Sequence, residues 1–195
     1  MTDRQFEAEC ETRMLQAARD IGVQAATDQW MRCTMPYQYV YNWRWCGLPI
    51  IQFPQDILAM QEAIWSAKPD IIIETGVARG GSLIFNAAML LLLNAADIPG
   101  RGGRSSPRRV IGIDIDIRPQ NRQAIEQHPF SNAIQLVTGS SVAPDVIDRV
   151  RGSIDPEARV MVVLDSNHTH DHVLAELTAY ACLLYTSPSP RDQRG

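Results

Sequence analysis

Three of the four histidines in the chain fall within five residues, in Asp165-Ser166-Asn167-His168-Thr169-His170-Asp171-His172. A carboxylate such as Asp165 is a hard oxygen ligand suited to Mg2+. An imidazole three residues on, His168, is the side-chain type best placed for general-base work near neutrality. The rival reading is a zinc site built from His168, His170 and His172. If the stretch opens a helix, residues i and i+2 point apart and the three rings do not converge. His170 and His172 are then expected to be solvated residues at a helix start.

A second stretch with chemical promise is Glu74-Thr75-Gly76-Val77-Ala78-Arg79-Gly80-Gly81-Ser82. Its glycines permit a tight turn and let a ligand approach the backbone. The spacing Gly76-x-x-x-Gly80-Gly81 is not the dinucleotide fingerprint Gly-x-Gly-x-x-Gly. An acid-x-Gly pattern suits S-adenosylmethionine (SAM) instead, a cofactor without a pyrophosphate whose amino-acid end needs an acid and polar backbone. A plain strand-to-helix turn is the other reading of these residues. Further on, Asp114 is placed to accept hydrogen bonds from both hydroxyls of a ribose. Gly139-Ser140-Ser141 offers a wall for the adenine side.

The elements needed to position these residues are legible. Ile71–Ile73, Val110–Ile113, Ile134–Val137 and Val160–Leu164 read as short buried strands. Helices are expected at Ser82–Ala96, Pro119–Gln127, Pro144–Arg151 and Thr169–Ala181, with one more running from Pro54 to Lys68-Pro69. Apolar strands alternating with helices imply an α/β fold, a parallel sheet covered on both faces. Every candidate residue above then lies at the carboxyl edge of that sheet. Upstream, Phe6, Cys10, Met14, Ala17, Ala18 and Ile21 repeat at helical spacing, so residues 3–21 are expected to form an amphipathic helix. Tyr37, Tyr39, Tyr41, Trp43 and Trp45 alternate strictly. An extended chain would put all five on one face, either as a core cover or as a stacking platform for a flat apolar substrate face. The Gly- and Arg-rich segment 99–109 reads as a solvated insertion.

Composition narrows the function classes. Eighteen basic against 22 acidic residues give a net charge of −4, which argues against a dedicated nucleic-acid binder. The longest apolar run, Ala87–Leu93, falls far short of the roughly 20 residues that cross a membrane. The start, Met1-Thr2-Asp3-Arg4-Gln5, lacks the layout of a secretion signal. The four cysteines are scattered, without a Cys-x-x-Cys pair, so neither a disulfide framework nor a cysteine zinc site is indicated. A cytoplasmic, reduced protein is expected.

Five motifs in order, Trp45-Cys46-Gly47-Leu48-Pro49-Ile50-Ile51-Gln52, Pro69-Asp70-Ile71-Ile72-Ile73-Glu74-Thr75-Gly76, Gly80-Gly81-Ser82, Gly112-Ile113-Asp114 and Leu164-Asp165-Ser166-Asn167-His168, resemble the cephalosporin hydroxylase / rhamnosyl O-methyltransferase family. The resemblance spans roughly residues 40–181. It implies a class I SAM-dependent methyltransferase fold, Rossmann-like, with helices on both faces. It implies that Glu74, Gly76, Gly80, Gly81, Ser82, Asp114 and Ser140 hold the cofactor. In metal-dependent sugar O-methyltransferases of similar fold, an Asp-x-x-His at the fourth strand supplies a Mg2+ ligand and the base, and Asp165 and His168 match that spacing. The implied reaction is Mg-dependent O-methylation of a sugar or natural-product hydroxyl on a small molecule, glycan or glycolipid. The hydroxylase in the family name finds no His-x-Asp iron motif here. A nicotinamide-dependent oxidoreductase and a non-catalytic binding protein on the same sheet remain the alternatives, and a homo-oligomer stays open.

The final residues differ from the rest. The string from Cys182 through Asp192 matches one reading frame of a widely used transposase sequencing adapter, so biological sequence is expected to stop near Ala181. On that reading the chain divides into a helical and aromatic-rich segment (1–53), a partial SAM-binding domain (54–181) and an adapter tail (182–195). The sheet would be incomplete after the fourth strand, without the two acidic metal ligands expected beyond a fifth, and the fragment inactive.

Overall fold

A computed structural model describes residues 2–97 and 107–183. Most of the Arg-rich insertion, and the tail from 184 onward, lie outside the described residues. The chain divides into two compact units, Met1–Val40 and the remainder from Tyr41.

The first unit is helical. Helix α1 spans Asp3–Arg19 and α2 spans Ile21–Thr34. The single amphipathic helix expected over 3–21 therefore breaks at Asp20. Its carboxylate accepts from the backbone N–H of Gly22 (2.7 Å) and Val23 (3.1 Å), so it ends one helix and caps the next. Thr2 and Gln5 close a capping box at the start of α1.

The aromatic alternation does not form one extended face. Met35–Tyr37 and Tyr39–Tyr41 wind into 3-10 turns, joined by Gln38 in the left-handed region (φ 49°). Pro36, with its fixed φ, suits the first turn and not a strand. Only Trp43 and Trp45 are extended, in strand β1 (Trp43–Trp45), which pairs antiparallel with β2 (Leu48–Ile50). The tight turn between them puts Cys46 and Gly47 both at positive φ, matching the twist of a two-residue hairpin.

From there strands and helices alternate as the sequence predicts: α3 (Pro54–Ala67), β3 (Ile71–Thr75), α4 (Gly81–Ala96), β4 (Arg109–Asp114), α5 (Pro119–Glu126), β5 (Ile134–Thr138), α6 (Pro144–Gly152), β6 (Val160–Leu164) and α7 (His170–Ala181). The four later strands form a parallel sheet in the order β5-β4-β3-β6. This is a Rossmann-like α/β arrangement. Strand β3 is buried along its whole length, so it reads as a continuous apolar run. Its side chains nonetheless divide by face. Ile72 joins one core cluster with Leu83, Leu90 and Ile125 of α4 and α5. Ile71 and Ile73 join the other, with Val146 and Val150 of α6 and Tyr180 of α7.

Helix α4 also packs on the hairpin. Trp45 meets Phe85 edge to face at 4.9 Å. A Cβ on Gly81 would overlap the Pro49 carbonyl oxygen, so this close approach of α4 to β2 requires glycine.

Candidate functional site

The carboxyl ends of β3, β4, β5 and β6 converge on a cavity of about 360 Å³, within the usual size range of small-ligand sites. Backbone bonds lock the strand tips in register. Gly76 N–H donates to Ile113 O (2.8 Å), Gly139 N–H to Asp114 O (2.9 Å) and Asp165 N–H to Thr75 O (2.9 Å).

Of the residues singled out in the sequence, Gly76, Asp114, Ser140 and Asp165 line this cavity. Asp114 Oδ2 accepts from Val77 N–H (2.8 Å) and Ala78 N–H (3.4 Å), while Oδ1 accepts from Asp116 N–H (3.0 Å). One carboxylate thus fixes the loop after β3 and still presents lone pairs to the cavity. Asn121 Nδ2 donates to Ala78 O (2.6 Å) and pins the same loop from α5.

Glu74 and Ser82 lie outside the cavity lining. Glu74 lies on the α4 face of β3 and is fully buried. Ser82 Oγ donates to its Oε1, and Asn86 Nδ2 donates to its Oε2 at 2.7 Å. Both oxygens are thereby turned into the protein, where they tie β3 to the first turns of α4. Burial pushes the Glu74 carboxyl up to about 7. The bonds from Ser82 and Asn86 oppose that shift, and nearby Asp165 adds to it. Gly80 (φ 85°) is the left-handed N-cap of α4, and its Cα faces Ile125. Gly80 and Gly81 serve packing and turn geometry outside the cavity lining.

Asp165 and His168 meet, with His168 Nε2 3.3 Å from Asp165 Oδ1. The Asp165 side chain is 43% exposed and that of His168 76% exposed, so the pair sits at the cavity's outer lip. Burial raises the Asp165 carboxyl above its ordinary value, and His168 partly offsets this. His170 is solvated beside Asp171, 3.0 Å away. Among the described residues no group of three or more His, Cys, Asp or Glu side chains could hold a metal ion.

His172 departs from the expectation of a solvated helix-start residue. It lines the cavity, and its Nε2 lies 3.3 Å from Ser141 Oγ, 3.2 Å from Ser166 Oγ and 3.3 Å from Glu176 Oε1. Glu176 is fully buried, and both serine hydroxyls donate to its Oε1, at 2.5 and 2.7 Å. Tyr180 Oη donates to Ser141 O (2.8 Å); burial, aided by the charge of Glu176, pushes its hydroxyl up to about 12. The signal for this network was the i, i+4, i+8 spacing of His172, Glu176 and Tyr180, a polar stripe on the inner face of α7.

The family model described as Rhamnosyl O-methyltransferase/CmcI matches residues 37–187. A rhamnosyl O-methyltransferase from Mycobacterium leprae (strain TN) is 26% identical over 144 residues, covering 72% of this chain and 55% of that protein. One from Mycobacterium tuberculosis (strain ATCC 25618 / H37Rv) is 24% identical over 130 residues, covering 66% and 47%. The chain therefore spans about half the length of the curated relatives it matches. A solved structure of CmcI with Mg and SAM aligns over 74% of this chain and 53% of its own, at 18% identity and a TM-score of 0.49. By the match over residues 37–187, the chain belongs to the rhamnosyl O-methyltransferase/CmcI family.

Proposed function

We propose that this chain carries the cofactor site of a SAM-dependent O-methyltransferase that acts on a sugar hydroxyl. The observation that carries the reading is the cavity at the strand tips, with Asp114 on its β4 side and Asp165 on its β6 side. Small residues line it, Gly76, Ala78, Ser140, Ser141 and Ser166, leaving room for a nucleoside. These residues fit the cofactor. Asp114 would take the ribose hydroxyls, and the loop it anchors, with Gly76, would face the amino-acid end. A sugar as acceptor is supported by the rhamnosyl O-methyltransferases among the relatives.

Bound SAM supplies a methyl group already activated on a sulfonium. The protein must hold an acceptor oxygen in line with it and take up the proton. Asp165 accepts from His168 Nε2–H, which orients the ring and leaves Nδ1 as the basic nitrogen. Asp165 is also a suitable oxygen ligand for Mg2+. Among the described residues no further His, Cys, Asp or Glu side chains join Asp165 to complete a metal site.

Calorimetric titration of the 195-residue chain with S-adenosylhomocysteine, and in parallel with NAD, tests the reading. Binding of S-adenosylhomocysteine alone is expected. Binding of NAD in its place would overturn it.

A further inference from the structure

Ser141 and Ser166 belong to opposite edges of the sheet. Ser141 follows β5 and Ser166 follows β6, the outermost strands in the order β5-β4-β3-β6. Those strands stand three inter-strand spacings apart, roughly 14 Å at about 4.8 Å each. Yet both hydroxyls reach a single atom, Glu176 Oε1, at 2.5 and 2.7 Å. The loops after β5 and β6 therefore lean toward each other across the tips of β4 and β3. His172 Nε2 lies 3.3 Å from the same oxygen. Three residues that line the cavity, from three different elements, thus converge on a carboxylate that does not line it. Glu176 is fully buried, and Tyr180, one turn further along α7, ties the β5 loop a second time through Ser141 O.

We propose that Glu176 is a positioning residue for the cofactor, acting through Ser141 and Ser166 to hold the two outer loops at the separation that admits the nucleoside. The proposal rests on the SAM reading of the cavity. Burying a carboxylate is unfavourable, and an apolar side chain of similar volume could fill the same place at no loss of stability. What the carboxylate adds is one fixed point that hydroxyls from two distant strands must both meet. Without that oxygen the bridge would rest on His172 alone, at 3.3 and 3.2 Å from the two hydroxyls. A wall already held in place spares the ligand the ordering of two loops, which is how a residue out of reach of the ligand raises affinity.

Titration calorimetry of the full chain with S-adenosylhomocysteine, alongside urea unfolding, tests this role. Glu176→Met fills the space without an oxygen and is expected to keep the fold about as stable as before. Its affinity should fall about tenfold or more. Glu176→Gln retains an oxygen that both hydroxyls can reach, and should stay within about threefold of the unaltered chain. Val150→Ala thins the core cluster shared with Tyr180, away from the cavity lining, and controls for lost stability. Its affinity should stay within about twofold. Glu176→Ala serves as the readout if the methionine variant fails to fold. A loss of less than about threefold in Glu176→Met would overturn the inference and leave the SAM reading standing. A glutamine variant as weak as the methionine one would also overturn it, because charge and not the bridge would then be at work. Equal weakening by Val150→Ala would overturn it too, by reducing Glu176 to a structural role. Failure of the unaltered chain to bind S-adenosylhomocysteine would overturn the SAM reading, and this inference with it.

Discussion

A Cβ added to Gly76 would overlap the backbone carbonyl oxygen of Asp165, and Gly76 itself sits at φ 92°. The tips of β3 and β6 therefore approach more closely than any side chain at position 76 allows. This contact sets the floor of the cavity between the loop after β3 and the Asp165–His168 pair. Gly76→Ala combines backbone strain with a clash against main chain that cannot rotate away. A loss of about 3 kcal/mol or more is expected in urea unfolding. A loss under about 1 kcal/mol would show that the two tips are free to separate.

Glu74 predicts an unusual pH dependence of stability. Its folded-state value of about 7 stands above the ordinary 4.5, so the folded protein holds the proton longer than the unfolded chain does. Stability should therefore be highest below about pH 4.5 as far as this group is concerned, fall as pH rises toward 7, and level off above. The full amplitude is roughly 3 kcal/mol. Glu74→Gln should flatten this segment of the profile. The variant is accommodated because Asn86 Oδ1 is buried without a partner and can accept from the new amide once Asn86 turns over. An unchanged slope between pH 4.5 and 7 in Glu74→Gln would assign the effect to another group.

The behaviour of Glu74 also marks where sequence reading stops. The strand-and-helix alternation was legible because β3 to β6 lie between two helical layers, and such strands read as apolar runs. Topology then placed Gly76, Asp114, Ser140 and Asp165 at one sheet edge. The face of a strand buried on both sides carries no polarity signal, so nothing in Ile71-Ile72-Ile73-Glu74 said that the carboxylate turns toward α4. The His172 network draws on Ser141 and Ser166 from two other elements, and no local spacing joins these serines to the His172–Glu176 pair on α7. The alternating aromatics misled because a period of two means a shared face only in extended chain, and Pro36 and Gln38 wind that chain up.

Asp114 should matter to the cofactor through its charge. Its carboxylate accepts from two loop N–H groups as well as from the proposed ribose, and an amide at this place cannot accept through both ends. Asp114→Asn is expected to weaken S-adenosylhomocysteine roughly ten- to hundredfold in titration. Asp116 is solvent-exposed outside the cavity lining, and Asp116→Asn should stay within about twofold of the unaltered chain. Equal effects of the two substitutions would mean that general acidity, and not the position of Asp114, governs binding.

His168 separates binding from chemistry. The ring is 76% exposed and outside the cavity lining, so it buries no cofactor surface. His168→Ala should leave S-adenosylhomocysteine affinity within about twofold and unfolding free energy within about 0.5 kcal/mol, as for an exposed side chain. A proton acceptor beside the reacting hydroxyl, by contrast, contributes on the order of a hundredfold or more to turnover. Radiolabelled methyl transfer to a rhamnoside, measured in an intact relative altered at the position matching His168, should fall by at least that much with cofactor affinity preserved. Full turnover in that variant would remove His168 from the role of base. Equal losses in affinity and turnover would move it into the cofactor site, against its place at the outer lip beside Asp165.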